Sequence, residues 1–301
     1  MRTQLCDALI ARAANPDMLF ITGDLGFMAL ETLQEAMGPR FINGGVAEQN
    51  MISVAAALAR QKFETWVYSI APFCYARPFE QIRNDISFHK LPVNLIGNGG
   101  GYGYGVMGPT HHAIEDYGVL LTLPNFAVFV PVFDEDVAAV VTLAAKTENP
   151  CYLRLGRGEY PKGYKPQPYA PWRQLTIGSG PMVLVVGPLA GSYIEAFEAL
   201  PALRRPNLWA VAQLPVETNP PPFELLTQLA AASCLCIAEE HVAQGGFAAQ
   251  FTLYLASRGM TIPKLTTLCA RSHIYERYGS QHFLREQSKL DVPSMLTAIA
   301  Q

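Results

Sequence analysis

Short apolar runs rich in β-branched and aromatic residues alternate along this chain with stretches whose apolar positions recur at helical spacing. MLFITGD ending at Asp24, FETWVYS ending at Ser69, LPVNLIGN ending at Asn98, FAVFVPV ending at Val132 and PCYLRLG ending at Gly156 have the composition of strands. Between them, AEQNMISVAAALARQ (47–61) and DEDVAAVVTLAAKT (134–147) have the pattern of helices, and Leu5, Leu9 and Ala13 space a first amphipathic helix. Such alternation predicts an α/β fold: mostly parallel sheet with helices on both faces. From 159 to 181 the texture changes to EYPKGYKPQPYAPWRQLTIGSGP, whose prolines, glycines and tyrosines suit a linker or crossover. Beyond it the alternation resumes with MVLVVGP (182–188), a helix near 191–200, LWAVAQL (208–214), CLCIAEE (234–240), a helix across 247–258 and KLTTLCA (264–270). The expected organisation is two doubly wound α/β domains, 1–165 and 181–301, joined by a linker over 166–180.

Composition adds to this picture. Half of the 301 residues are apolar, enough for two sizeable cores, and only 16% are charged, against ~25% in ordinary soluble domains. Deep α/β cores and a face hidden in an assembly would together explain the deficit. The net charge of −3, with no basic stripe carrying interleaved aromatics, leaves no electrostatic footprint for nucleic acid. No apolar run approaches the ~18 residues of a membrane span. Asp7 interrupts the apolar start of the chain and no small-residue cleavage site follows, so a signal peptide is not expected. The six cysteines form no CxxC pair; Cys74, Cys151 and Cys269 sit in apolar settings, and Cys234 and Cys236 flank Leu235 in a strand-like run. These are the marks of buried thiols in a reducing cytoplasm.

Ligands of open parallel sheets bind outside the carboxyl ends of the strands. Asp24 closes the first strand there, GGVAEQN (44–50) turns into a helix, Pro72, Phe73 and Tyr75 follow another strand, and GNGGGYGYGVMGPTHH (97–112) follows a further one. The glycine run contains a formal GxGxxG at Gly103, Gly105 and Gly108. Pro109 follows where a dinucleotide site would open a helix, no acidic residue ends a strand ~20 positions on, and no Lys-Ser or Lys-Thr pair makes it a phosphate loop. A glycine loop without a ligand is the plain alternative. Adjacent His111 and His112 diverge on any regular element, and no HExxH or Cys/His cluster supplies further metal ligands. A histidine in such a loop suits proton transfer or a substrate oxygen; a surface or capping histidine is the alternative. Glu48, in the first turn of its helix, has a plain explanation in helix-end electrostatics when taken alone.

Taken together, these motifs resemble the pyrimidine-binding domain of transketolases and deoxyxylulose-phosphate synthases. GGVAEQN before a small-residue helix, the aromatics before EQIRND, the GPTHH loop, LTLPN (121–125) and DEDV before a helix follow in that family's order over roughly 18–157. VLVVGP, AEEH (238–241) and QGG (244–246) resemble its C-terminal domain. The resemblance implies thiamine diphosphate as cofactor, with Glu48 bonded to the aminopyrimidine ring nitrogen so that the exocyclic nitrogen can take the thiazolium proton. It implies an aromatic wall of Phe73, Tyr75 and Phe79, with Phe79 placed by its alignment beside Glu80 and Gln81, and a border of Asp24 and Leu25. It assigns His111 to substrate carbonyl and hydroxyl oxygens, with His112 and Met107 beside it, and lets Arg154 and Arg157 reach a substrate phosphate or carboxylate. Solvated strand-end charges are the alternative for either arginine.

Two departures bear on specificity. Met107 stands where these enzymes carry an acidic residue that contacts a substrate hydroxyl, and Gly100 stands where the synthases carry an arginine. One absence bears on assembly: the GDG run with a following asparagine, which binds the diphosphate through Mg2+ or Ca2+, is missing. The resemblance therefore implies a C-terminal subunit that completes its site with an N-terminal diphosphate-binding subunit, as an α2β2 assembly. The expected activity is transfer of a ketol or acyl unit from a ketose or 2-oxo acid to an aldehyde. The alternatives are a β subunit of a 2-oxo acid dehydrogenase first component, a deoxyxylulose-phosphate-synthase-like carboligase and a non-catalytic scaffold.

Overall fold

The computed structural model describes residues 1–26, 28–273 and 276–300. Its strands are β1 (Met18–Thr22), β2 (Phe41–Asn43), β3 (Glu64–Ile70), β4 (Val93–Asn98), β5 (Ala127–Phe129), β6 (Cys151–Leu155), β7 (Trp172–Thr176), β8 (Met182–Val186), β9 (Asn207–Val211), β10 (Gln213–Leu214), β11 (Cys234–Glu239) and β12 (Lys264–Cys269). They form a seven-stranded sheet in the order β10-β5-β6-β4-β3-β1-β2 and a five-stranded sheet in the order β12-β11-β8-β9-β7. The α/β architecture expected from the alternation is the one observed. In the first sheet all pairs are parallel except β10 with β5. In the second, β7 alone runs antiparallel, beside β9. The central strands β4 and β6 are buried almost throughout, which is why they appear in the sequence as unbroken apolar runs.

Strand order fixes where a ligand can sit. From β1 the chain goes to β2 on one side, then returns to β3 on the other. That reversal leaves a crevice outside the carboxyl ends of β1 and β3, the usual ligand position in such sheets.

Three expectations need correction. The 166–180 stretch is not a plain linker: Trp172–Thr176 forms β7, with Trp172 opposite Val211 and Arg173 opposite Ala210. LWAVAQL is likewise not one strand. Its first part lies in the second sheet, while Gln213 and Leu214 cross over to pair with Phe129 and Val128 of β5. FAVFVPV supplies only the three residues of β5, because Pro131 has no N–H to continue the ladder.

Buried polar groups hold the two sheets' layers together. Arg154 on β6 donates to Asp116 Oδ2 at 2.7 Å, to the Ala113 carbonyl at 2.7 Å and to the Glu240 carbonyl at 2.8 Å. The Tyr152 hydroxyl donates to the same Asp116 oxygen at 2.9 Å. The AEEH segment answers from the other side. Glu239 accepts from the Tyr117 hydroxyl and from the N–H groups of Phe247 and Ala248 that open the helix Phe247–Ser257. Glu240 pairs with Arg285, and the His241 ring stacks on Tyr117 with centroids 4.1 Å apart. Gly101 can face Glu240 only as glycine: its φ is +63°, and a Cβ there would collide with the glutamate side chain.

A half-buried ion pair lies on the same seam, His273 Nε2 to Glu115 Oε1 at 2.9 Å. The Glu115 hydrogen bond raises the His273 pKa despite burial. Burial pushes the Glu115 carboxyl up, but the bond and charge of His273 outweigh it and hold it low. The pair's stabilisation is therefore present above the ordinary glutamate value of ~4.3 and below the ordinary histidine value of ~6.5, and is lost as pH rises through the raised His273 value. With both partners partly exposed it amounts to about 1 kcal/mol or less. The Tm difference between the native protein and His273→Gln should accordingly shrink from about pH 6 to about pH 8.5; a constant difference would remove this pair from the stability of the seam.

Candidate active site at the switch point of the first sheet

Glu48 is the first residue of the helix Glu48–Arg60, whose apolar face buries Met51, Ile52, Ala55, Ala56 and Ala59. That packing pulls the carboxylate down to 8% exposure. The helix is capped by no side chain at Ala47, so the carboxylate lies beside free N–H groups and the positive end of the helix dipole. The loop before it is tied to β1: Gly44 N–H donates to the Thr22 carbonyl at 2.8 Å and Asp24 N–H to the Gly45 carbonyl at 3.0 Å. Asp24 is exposed and accepts from Asn43 Nδ2 at 3.2 Å, and Leu25 beside it is half-buried. Both therefore lie at the rim of the crevice.

The short helix Ala71–Tyr75 after β3 carries Phe73. The ring of Phe73 meets His111 edge-on, centroids 5.1 Å apart, and the Arg77 guanidinium lies 3.9 Å above the Phe73 ring. Arg77 Nη1 donates to Glu48 Oε1 at 2.9 Å. Glu48, Arg77, Phe73 and His111 thus form one continuous cluster drawn from three segments. The remaining aromatics are placed differently from expectation. Tyr75 is buried and sends its hydroxyl to Glu115 at 3.2 Å. Phe79 is half-buried and packs against the apolar core beside the helix Glu48–Arg60. Among the described residues it is Phe73 that faces both His111 and Arg77.

The glycine loop makes two tight turns, Gly105–Met107 and Pro109–His111, with Gly108 between them at φ +81°. His111 is half-buried, and its Nδ1 is 2.9 Å from the Thr110 hydroxyl. Burial, and then the positive charge of Arg77, lower its pKa, so the imidazole is neutral at neutral pH and able to accept a proton. Met107 is 56% exposed at the loop tip. His112 is a correction: it is 2% exposed and points under the loop, edge-on to Tyr102 and 6.1 Å from the His273 ring, away from the crevice. Arg154 is another. Its donors are directed to Asp116 and two carbonyls inside the seam and it is 4% exposed, so it ties the layers together.

Arg157 keeps its head free of that seam. It lines a cavity of about 310 Å³ with Arg2, Asn98 and Tyr104, between the start of the first helix and the glycine loop. Two guanidinium groups there favour an anionic ligand. A larger cavity, about 590 Å³, opens instead around Lys62, Glu64, Lys90 and Asn94 at the amino ends of β3 and β4, the opposite end of the sheet from the cluster. Arg2 and Arg77 did not stand out in the sequence. Only the fold sets Arg2 beside Arg157; Arg77 stood in plain view between Tyr75 and Phe79. Among the described residues no group of three or more His, Cys, Asp or Glu side chains could hold a metal ion. No helix among them is long and apolar enough to cross a membrane.

Comparisons with known proteins bear on the family and the fold. The family described as "Transketolase, pyrimidine binding domain" matches residues 4–162. One subunit of the apulose-4-phosphate transketolase of Phocaeicola vulgatus is 30% identical over 166 residues, 54% of this chain and 53% of that protein. The 1-deoxy-D-xylulose-5-phosphate synthase 2 of Geobacter sulfurreducens is 30% identical over 262 residues, 84% of this chain and 40% of that protein. The chain thus spans about half or less of the length of these curated relatives. A solved structure described as "Split gene transketolase, inactive beta4 tetramer" superposes with a TM-score of 0.85 at 29% identity, over 99% of this chain and 96% of that one. Transketolase from Leishmania mexicana shares the fold, with a TM-score of 0.77 at 15% identity over 99% of this chain and 44% of that one. With a cofactor-type crevice at the strand switch point and more than half of its length matched by one family, this chain belongs to the transketolase family through its pyrimidine-binding domain.

Proposed function

We propose that this chain is the C-terminal subunit of a two-chain thiamine-diphosphate enzyme of the transketolase type, which moves a ketol or acyl unit from a ketose or 2-oxo acid donor to an aldehyde. The observation that carries it is the seat between Phe73 and Glu48. The group now in it, the Arg77 guanidinium, is flat, stacks on the Phe73 ring and donates an N–H to the Glu48 carboxylate. An aminopyrimidinium ring has the same three properties, so the residues present fit the cofactor. When bound, thiamine diphosphate would supply nucleophilic carbanion chemistry towards a donor carbonyl.

The chain's own residues have distinct tasks. Glu48 holds the proton on the pyrimidine nitrogen, and its burial keeps water from competing for it. Phe73 fixes the ring plane, and Asp24 and Leu25 form the rim. The neutral His111 ring holds or accepts a proton at a substrate hydroxyl. Arg157, with Arg2, suits the anionic end of a substrate such as a phosphate or carboxylate. Met107 presents a thioether where an acidic side chain would contact a hydroxyl, so this end of the site selects a less hydroxylated partner. Mg2+ or Ca2+ would be bound with the diphosphate by the N-terminal subunit, in an α2β2 assembly. All six cysteines are free and none is fully exposed, in keeping with a cytoplasmic home. Carboligation from a 2-oxo acid is the second reading, favoured by the synthase that aligns over 84% of this chain.

Calorimetric titration of thiamine diphosphate with magnesium, into the chain alone and into its mixture with a candidate diphosphate-binding subunit, tests the proposal. Tight binding is expected only in the mixture. Tight binding to the chain alone would overturn the divided site, and no binding in either, with the complex shown to form, would leave a scaffold.

A further inference from the structure

The ion pair that fills the seat is lopsided. Glu48 is 9% exposed at its side chain, whereas Arg77 is 46% exposed and reaches in from the surface. The guanidinium occupies both features that a pyrimidine ring needs at once, the Phe73 face at 3.9 Å and the Glu48 oxygen at 2.9 Å. The ring and Arg77 cannot both lie there. Arg77, 46% exposed, already reaches water, and a half-exposed ion pair of this kind favours the closed arrangement by about fivefold or less. While it stays, it gives the buried carboxylate a partner that would otherwise be missing.

We infer that Arg77 is a displaceable occupant of the cofactor seat, a positioning residue that keeps Glu48 paired and the Phe73 face covered until the aminopyrimidine ring replaces it. The inference rests on the function proposed above and adds a competition step to cofactor entry. Stacking on Phe73 and the fork that meets Glu48 are properties of a guanidinium and not of an ammonium, so lysine at this position would be a poorer occupant.

Stopped-flow measurement of thiamine diphosphate binding, with magnesium in excess, to the complex of this chain with its diphosphate-binding subunit provides the test. The magnesium complex carries little net charge, so removing one arginine leaves its diffusional encounter nearly unchanged. Arg77→Ala should raise the association rate constant about fivefold while the dissociation rate constant stays within about twofold, and Arg77→Lys should fall between. Raising the salt concentration should narrow the gap between native and Ala proteins, because salt screens the pair that the native protein must break. Native-like Tm and complex size establish that the variants are folded. Association that is unchanged or slower in Arg77→Ala overturns the inference, as does a selective rise in dissociation, which would make Arg77 a residue that holds the bound ring. Absence of binding in the native complex overturns the functional proposal and this inference with it, whereas native binding with equal rates in the variant overturns this inference alone.

Discussion

Glu48→Gln is expected to lower turnover of the assembled enzyme by about 10³-fold, the scale set by loss of a positioned acid–base group, with the complex still formed. Glutamine has the shape of glutamate and suits the same helix start, so the packing of Met51, Ile52 and Ala55 behind it is untouched. Glutamine cannot hold a proton on the pyrimidine nitrogen as a carboxylate can. The ion pair with Arg77 would weaken to a neutral hydrogen bond, and because Arg77 is 46% exposed this changes stability by about 1 kcal/mol or less. Steady-state turnover measured beside Tm and complex size separates the two effects. Unchanged turnover would remove Glu48 from the chemistry and with it the enzymatic reading of the crevice.

Arg154→Met should be the most destabilising single change at the seam, by about 3–5 kcal/mol, because it strands a buried carboxylate. Asp116 is fully buried, and without the arginine its ionised side chain keeps only the Tyr152 hydroxyl among the partners described above. The carbonyls of Ala113 and Glu240 lose their donor in the same step. Adding Asp116→Asn should recover part of the loss, since asparagine can still accept from Tyr152 and carries no charge to desolvate. Urea denaturation of the two variants checks this. A loss below about 1 kcal/mol for Arg154→Met would mean that Asp116 finds another partner, and the seam would have to be held chiefly by the Glu239, Glu240 and His241 contacts.

The two arginines of YLRLGRG illustrate what the sequence can and cannot convey. Both resemble strand-end charges there. Arg154 lies within β6, which is covered on both faces, and is met by an aspartate and two carbonyls; Arg157, three residues on, has left the strand and lines an open cavity. The histidines divide in the same way, His111 against Phe73 and His112 under the loop, as expected for neighbours whose side chains diverge. Among the aromatics, alignment beside Glu80 and Gln81 placed Phe79 most firmly. The fold favours Phe73, because the turn after β3 brings position 73 to His111 while Phe79 packs against the core.

The sequence by itself determined the α/β class, the central strands, the helix that starts at Glu48 and the cluster of chemistry at strand ends. Each of these depends on local patterning: apolar runs where a strand is buried on both faces, helical spacing where one face is covered, glycine and proline where the backbone must turn. Tertiary structure alone decided the edge strands β7 and β10, the crossing of Gln213 and Leu214 into the first sheet, the burial of Arg154, the pairing of Arg2 with Arg157 in one cavity and the presence of Arg77 on Glu48. These depend on partners far away in the chain, whose distance in space is fixed only when the layers pack, and a short edge strand or a charged side chain carries no local pattern that names its partner.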